Sequence, residues 1–342
     1  MKAVYFEEHG DSNTLQYGDR PDPEINDSEV LVRVKACALN HLDIWTRQGM
    51  PGVPIPLPHI LGCDSAGIVE QVGSSVTHVK PGDSVVVAPG VSCRKCDYCQ
   101  SGWDSMCSEY KILGFLLDGG YAELLKAPGE NIIPISDKLS MTEWASIPLV
   151  FLTAWHMLKT RAELKSSETV LVQAAGSGVG IAAIQIAKHL GAEVITTAGS
   201  AEKLEKGKAL GADHTINYKE EKFGERVQDI TSGKGVDVVF EHIGPDVWED
   251  SMSCLGKKGR LVTCGATSGP EVKIDLRFVF MKQLSILGNY MGGLSELQEV
   301  IPLVEQGVLK PVIDQCFPLK EAGAAHQHME NRKNIGKIIL EV

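Results

Sequence analysis

Hydrophobic positions follow two different rhythms along this chain. In the first 145 or so residues they come in short alternating runs. EVLVRVKACAL sets Val30, Val32 and Val34 on one face, the period-two mark of a strand. GDSVVVAPG is another strand bounded by turn residues. MPGVPIPLPH is crowded with prolines, which remove backbone donors and fix φ, so it is a loop. Near residue 150 the rhythm changes. TVLVQAA is a continuous apolar run, as in a buried parallel strand. VGIAAIQIAKHLG follows as a helix with Gly191 at its stop. The alternation then repeats: AEVITTA, the helix AEKLEKGKALG ended by Gly211, HTINY, EEKFGERVQDITSG, GVDVVFEHIG, DVWEDSMSCLG and GRLVTCG. Strand–helix repetition of this kind predicts a doubly wound parallel sheet. The tail brings a helix, ELQEVIPLVEQG, and a last strand, GKIILEV, expected to return to the first domain. The expected fold is α/β: a mostly-β domain from residues 1–150 and 290–342, and a nucleotide-type domain from 151–289.

Bulk properties narrow the partners. The chain has 342 residues, enough for two cores, with ordinary apolar and charged fractions of 43% and 23%. Its net charge of −11 and lack of a basic cluster argue against nucleic acid as a partner. Val170 to Ala187 carries no charge, but its glycines and glutamines read as strand, turn and helix rather than a membrane span. The start, MKAVYFEEHG, has no apolar run, so no signal peptide is expected and a cytoplasmic location is.

In such a compartment thiols stay reduced, and clustered reduced thiols point to metal. Cys93, Cys96, Cys99 and Cys107 form a C-x2-C-x2-C-x7-C run. Four thiolates close a tetrahedron around Zn²⁺ and leave no open position, so one structural zinc per subunit is expected in a lobe at about residues 90–110.

The turn after the first strand of the second domain is AAGSGVG. Gly176, Ser177, Gly178, Val179 and Gly180 let a pyrophosphate approach the backbone at a helix N-terminus. Only part of the G-x-G-x-x-G pattern is present. The second strand ends at Ala198, Gly199 and Ser200, without the carboxylate that NAD binding wants for the ribose. Lys203 follows and can neutralise a 2′-phosphate, so NADP(H) is expected in preference to NAD(H), with nearby Glu202 as the counterweight.

The cysteine lobe, the nucleotide domain and the returning tail, with runs such as ILGCDSAGIVEQVGSSVTHVKPGDSVV, GGYAEL, FLTAWHML and LGADHTINY, resemble the medium-chain dehydrogenase/reductase superfamily. That superfamily includes zinc-containing alcohol dehydrogenases and quinone oxidoreductases. The resemblance covers nearly the whole chain and implies a GroES-like domain joined to a Rossmann domain, and a homodimer or homotetramer. It implies cofactor contacts from Thr153, Ser200, Lys203 and Tyr218. It also implies them from Gly265, Ala266, Gly288 and Asn289 at the nicotinamide, and from Lys337 at the pyrophosphate.

The alcohol dehydrogenases of this superfamily hold a catalytic zinc with three ligands. The resemblance puts those positions at Asn40, Cys63 and Leu149. Leucine cannot coordinate and an asparagine amide is a feeble zinc ligand. The N-x-x-D run from Asn40 to Asp43 resembles the zinc-free, NADPH-dependent quinone oxidoreductases, which generally lack the four-cysteine lobe. The expected reaction is hydride transfer to a conjugated C=C of a quinone, enone or enoyl compound. Asn40 would donate to the enolate oxygen, His41 would supply a proton, and Asp43 completes the run. Trp45, Cys63 and Asp64 would line the substrate pocket. Two alternatives stay open. One is an alcohol or aldehyde dehydrogenase with a zinc site rebuilt from His41, Cys63 and Asp64, with His59 contributing. The other is a low-turnover nucleotide-binding or structural protein.

Overall fold

The computed structural model describes residues 1–342. The chain divides into two compact units, Met1–Leu149 with Gly293–Gly307 and Pro311–Val342, and Val150–Gly292 with Val308–Lys310.

The first unit is built on strands. Its main sheet has the order Ile132–Pro134, Ser84–Val87, Asp64–Val72, Glu29–Ala38, Lys337–Glu341, Ile313–Pro318, with Leu124–Pro128 also paired to Glu29–Ala38. The central strand Glu29–Ala38 buries more than its alternation predicts. Leu31 and Cys37 are buried along with Val30, Val32 and Val34, because neighbouring strands and packed elements cover both faces. The final strand lies antiparallel to it, pairing Ile339 with Ala38 and Leu340 with Cys37. Asp64–Val72 flanks it on the other side, pairing Asp64 with Ala38. The proline-rich run is a loop with a cis Leu57–Pro58 bond.

The second unit holds six parallel strands in the order His214–Asn217, Glu193–Ala198, Thr169–Val172, Val236–Glu241, Leu255–Thr263, Ser285–Gly288. Strand order reverses at Thr169–Val172, the first strand of the unit, which opens a crevice at its carboxyl end. Helices Gly178–His189, Ala201–Ala209, Phe223–Ile230 and Pro245–Cys254 make the crossovers. Leu171, Ile195, Ile216, Val239 and Leu261 meet Trp248 and Met252 in one core cluster. Burying each such side chain is worth roughly 1.5–3 kcal/mol. The periodicity left several elements unmarked, among them His41–Gln48, Leu276–Lys282 and Ala322–Glu330. All are shorter than the ten or so residues over which a 3.6-residue period becomes legible.

Candidate active site and cofactor cradle

Three neighbouring strands of the first unit end at the same edge. Glu29–Ala38 finishes there, while Asp64–Val72 and Lys337–Glu341 begin there. This topology delivers Asn40, Asp64 and Lys337 to one spot although 297 residues separate Asn40 from Lys337. The Lys337 ammonium donates to Asn40 Oδ1 at 2.6 Å and to Asp64 Oδ2 at 2.9 Å. Asn40 Nδ2 donates to the same Asp64 oxygen at 2.9 Å and lies 3.4 Å from Cys63 Sγ. Asp64 Oδ1 accepts from the Leu149 backbone N–H at 2.8 Å. Lys337 is only 4% exposed and Asp64 0%, so neither charge can lean on water. The triad is closed on itself, and the amide of Asn40 is held at both ends.

Asn40 also caps helix His41–Gln48. Asp43, in the first turn, accepts from the Asn40 backbone N–H at 2.6 Å and from the Gly62 N–H at 3.0 Å. Burial raises the Asp43 carboxyl to about 7 against those bonds. Cys63 is buried and its thiol is pushed well up, first by burial and then by Asp43 and Asp64. His41 is exposed and its ring centroid lies 6.2 Å from that of half-buried Trp45. His59 is buried, its basicity lowered by burial, with Nδ1 3.6 Å from Asp118 and no hydrogen-bond partner on Nε2.

The raised Asp43 has a thermodynamic consequence. The folded chain keeps a proton there that the unfolded chain releases near pH 4. Its contribution to stability is full below that pH and is lost as pH rises through about 7. The limiting slope is about 1.4 kcal/mol per pH unit. Neutral buried His326 and His242 contribute with the opposite sign, so the readout is a difference. Urea midpoints of wild type and Asp43→Asn between pH 4.5 and 7.5 should diverge in slope, with wild type losing stability faster as pH rises. Parallel curves would contradict the assignment.

The pocket does not suit a catalytic metal. Asn40 Oδ1 already accepts from an ammonium, and both oxygens of Asp64 and of Asp43 accept from N–H groups. Leu149 offers no lone pair, so Cys63 Sγ is the remaining soft donor.

The four-cysteine lobe suits one. The Sγ atoms of Cys93, Cys96, Cys99 and Cys107 lie within 4.8 Å of one another. Cys96 and Cys99 are 3.5 Å apart and Cys93 and Cys99 3.9 Å, near the ~3.8 Å edge of a tetrahedron with 2.3 Å Zn–S bonds. Backbone N–H groups of Lys95 and Cys96 point at Cys93 Sγ and hold that thiol down to about 6, which favours the thiolate a metal needs.

The second unit forms a phosphate turn. Ala174 takes φ +59°, and Ser177 caps helix Gly178–His189 by accepting from the Gly180 N–H at 3.0 Å. A Cβ on Gly176 would come within 2.6 Å of the Lys203 side chain, so that lysine lies directly over the turn. Ser200 caps helix Ala201–Ala209. A Cβ on Gly199 would meet the Tyr218 hydroxyl at 2.6 Å and Lys219 Cε at 3.0 Å. Ser200, Lys203, Tyr218 and Lys219 thus surround the end of the second strand with hydroxyls and two cations. At the other side of the crevice, Gly265 and Ala266 follow strand Leu255–Thr263, and Gly288 ends the edge strand. The Gly288 carbonyl accepts from Arg161. Asn289 Nδ2 donates to Met291 O, while buried Asn289 Oδ1 has no partner, an orphan acceptor suited to a cofactor N–H. Thr153 is buried in helix Pro148–Trp155.

Two residues in this crevice escaped the sequence reading. Lys219 follows Tyr218 directly, and counting cations beyond the third strand would have found it. His242 stands at the carboxyl end of strand Val236–Glu241, where open parallel sheets bind ligands. Its Nε2 lies 3.2 Å from Ser177 Oγ and 3.3 Å from Gln173 O, and burial lowers it to about 4, so the ring is neutral.

Two family profiles match this chain: the alcohol dehydrogenase GroES-like domain over residues 26–137 and the zinc-binding dehydrogenase over residues 178–306. A quinone oxidoreductase of Pseudomonas aeruginosa is 34% identical, covering 99% of both chains. A 2-haloacrylate reductase of a Burkholderia species is 33% identical, covering 91% of this chain and 90% of its own. The crystal structure of an NAD-dependent alcohol dehydrogenase superposes with a TM-score of 0.97 at 45% identity, covering both chains fully.

Proposed function

Because this chain belongs to the zinc-binding dehydrogenase family, a group of medium-chain oxidoreductases with a GroES-like domain, we propose that it reduces an activated C=C. The acceptor is a quinone, enone or enoyl compound, NADPH is the donor, and no metal acts at the reacting site. The observation that carries this reading is the closed triad of Asn40, Asp64 and Lys337, in which every side-chain oxygen already accepts an N–H and a buried ammonium stands where a Lewis acid would bind. Without a Lewis acid, a conjugated alkene is the easier hydride acceptor, since its charge spreads to a remote carbonyl oxygen. The quinone oxidoreductase and 2-haloacrylate reductase relatives support that acceptor class.

Bound NADPH supplies the hydride. Ser200, Lys203, Tyr218 and Lys219 hold its 2′-phosphate, and the Gly176–Gly180 turn its pyrophosphate. Gly265, Ala266, Gly288 and Asn289 orient the nicotinamide, with Asn289 Oδ1 accepting from the carboxamide. One Asn40 amide hydrogen is committed to Asp64. The other makes only contacts of 3.4 and 3.5 Å to Cys63 Sγ and Ala38 O, and it is the donor to the enolate oxygen. Exposed His41 returns the proton, and Trp45 bounds a flat acceptor.

The chain works as a homodimer or homotetramer. Strand Ser285–Gly288 is an unpaired sheet edge, and beside it in sequence Leu276, Phe280 and Met281 are each well exposed, Met281 at 72%. Nine free thiols are consistent with a cytoplasmic location.

The test is product analysis. With NADPH, 2-cyclohexenone or a benzoquinone should give the saturated ketone or the hydroquinone, and simple alcohols should not reduce NADP⁺. Ser200→Asp should lower kcat/KM for NADPH by about 10²-fold or more, since a carboxylate facing a phosphate costs several kcal/mol. An unchanged NADPH preference would refute the cofactor assignment. The second reading is an NAD-dependent alcohol dehydrogenase, favoured by the 45% identical structure that carries this activity in its name. Alcohol oxidation with NAD⁺ and no alkene reduction would establish it.

A further inference from the structure

We propose that the Lys337 ammonium is the resident cation of the Asn40–Cys63–Asp64 pocket, filling the space a divalent metal would need and so keeping the pocket free of metal. This rests on the reading that the first unit works without a catalytic metal.

Three observations carry it. The ammonium is bonded to an amide oxygen and a carboxylate oxygen at 2.6 and 2.9 Å, on atoms that would otherwise be hard ligands for a cation. It is almost fully buried, against a carboxylate with no exposure at all, so the two form a counter-charge pair inside the pocket rather than a surface pair. It also acts on the rest of the pocket: its positive charge opposes the rise of both the Asp43 carboxyl and the Cys63 thiol. A divalent ion placed here would face an ammonium at contact distance in a buried site, where repulsion is strongest. It would also find each oxygen already accepting an N–H.

The positioning follows from the same bonds. Lys337 and Asp64 grip opposite ends of the Asn40 amide, fixing which end is oxygen and which nitrogen. Remove the ammonium and Asn40 Oδ1 and one lone pair of Asp64 Oδ2 become free beside Cys63 Sγ. Two oxygens, a sulfur and water then make a four-coordinate donor set that added Co²⁺ can occupy. The pocket therefore contains a latent metal site that a single lysine keeps shut.

The experiment uses the full chain with its lobe zinc in place. Wild type, Lys337→Met and Lys337→Arg are incubated with excess Co²⁺ and desalted. Zinc and cobalt are counted by elemental analysis, and the near-ultraviolet is scanned for a thiolate-to-cobalt band. Wild type and Lys337→Arg should keep one zinc and gain no cobalt. Lys337→Met should keep its zinc, gain about one cobalt, and show the thiolate band, which a further Cys63→Ala change abolishes. Cobalt uptake by wild type overturns the proposal, as does a folded Lys337→Met that binds none. Should Lys337→Met fail to fold, Lys337→Gln takes its place, and a folded Lys337→Gln that gains no cobalt overturns the proposal equally. Metal counts do not depend on the acceptor. A wild type without cobalt that fails to reduce alkenes sinks the proposed reaction and leaves this inference standing. A wild type that takes up cobalt while reducing alkenes does the reverse.

Discussion

Cys99→Ser should strip the zinc from the four-cysteine lobe and let that lobe unfold while the sheet beneath it stays intact. Between Cys93 and Tyr110 only Asp104 and Cys107 are buried, and the lobe's helix Asp97–Gln100 is a single turn. Tyr98 and Met106 point to solvent, so no hydrophobic core holds the loop. The side-chain contacts that remain without metal include Arg94 paired with Asp104 at 2.7 Å and with Glu130 at 3.5 Å, and an Asp104 bond to the Leu294 N–H at 2.8 Å. Structural zinc sites in small peptides supply about 10–16 kcal/mol of binding free energy at neutral pH. Losing it far outweighs such polar contacts, each worth roughly 1–3 kcal/mol. Zinc should fall from one per chain to none, proteases should cut between residues 93 and 110, and the melting temperature should drop. Cys316→Ser, at an exposed thiol outside the lobe, should change none of these. A Cys99→Ser protein that keeps its zinc and resists proteolysis would remove the lobe from the list of metal sites.

That lobe was readable from the sequence because metal geometry imposes a fixed local spacing. The parallel sheet was readable for a similar reason, since strands buried on both faces must be apolar throughout. Val170 to Val172 and Val238 to Phe240 are buried without a gap. The first-unit site was only half readable. Asn40, Asp43, Cys63 and Asp64 stood out as chemical residue types near short motifs. Their partner Lys337 sits in a strand start whose neighbours are fixed by sheet order alone, and nothing local announces that order. The resemblance directed attention to a pyrophosphate contact for Lys337, while the structure sets its ammonium against Asn40 and Asp64. The Leu149 N–H on Asp64 had no sequence signal either, because a backbone donor looks the same at every residue.

Arg47 is a second buried charge that no pattern announced, and its removal should be among the most costly single changes in the chain. It lies in the last turn of helix His41–Gln48, the element that carries Asp43 and Trp45, and its side chain is 0% exposed. The guanidinium donates to Glu330 at 2.5 Å, to His326 Nδ1 at 3.0 Å and to the Gly10 carbonyl at 3.2 Å. Arginine can only donate, so His326 Nδ1 must accept and its proton sits on Nε2, which donates to Tyr121 at 3.2 Å. Burial, and then the adjacent guanidinium, keeps that histidine neutral by lowering it to about 3. Arg47→Ala leaves a carboxylate, an imidazole nitrogen and a carbonyl without their donor and opens a cavity. The Glu330 carboxylate is 31% exposed and can turn to water, so the loss comes from the cavity and the unpartnered His326 and Gly10 acceptors, about 2–4 kcal/mol. Arg47→Lys keeps the charge but cannot reach three acceptors with one rigid fork, so it should recover only part of the loss. Urea midpoints should rank wild type above Arg47→Lys above Arg47→Ala. Turnover should fall in the same order, because a loosened helix no longer fixes Asn40 at its first cap. Equal midpoints for Arg47→Ala and wild type would mean the guanidinium contributes packing and nothing more.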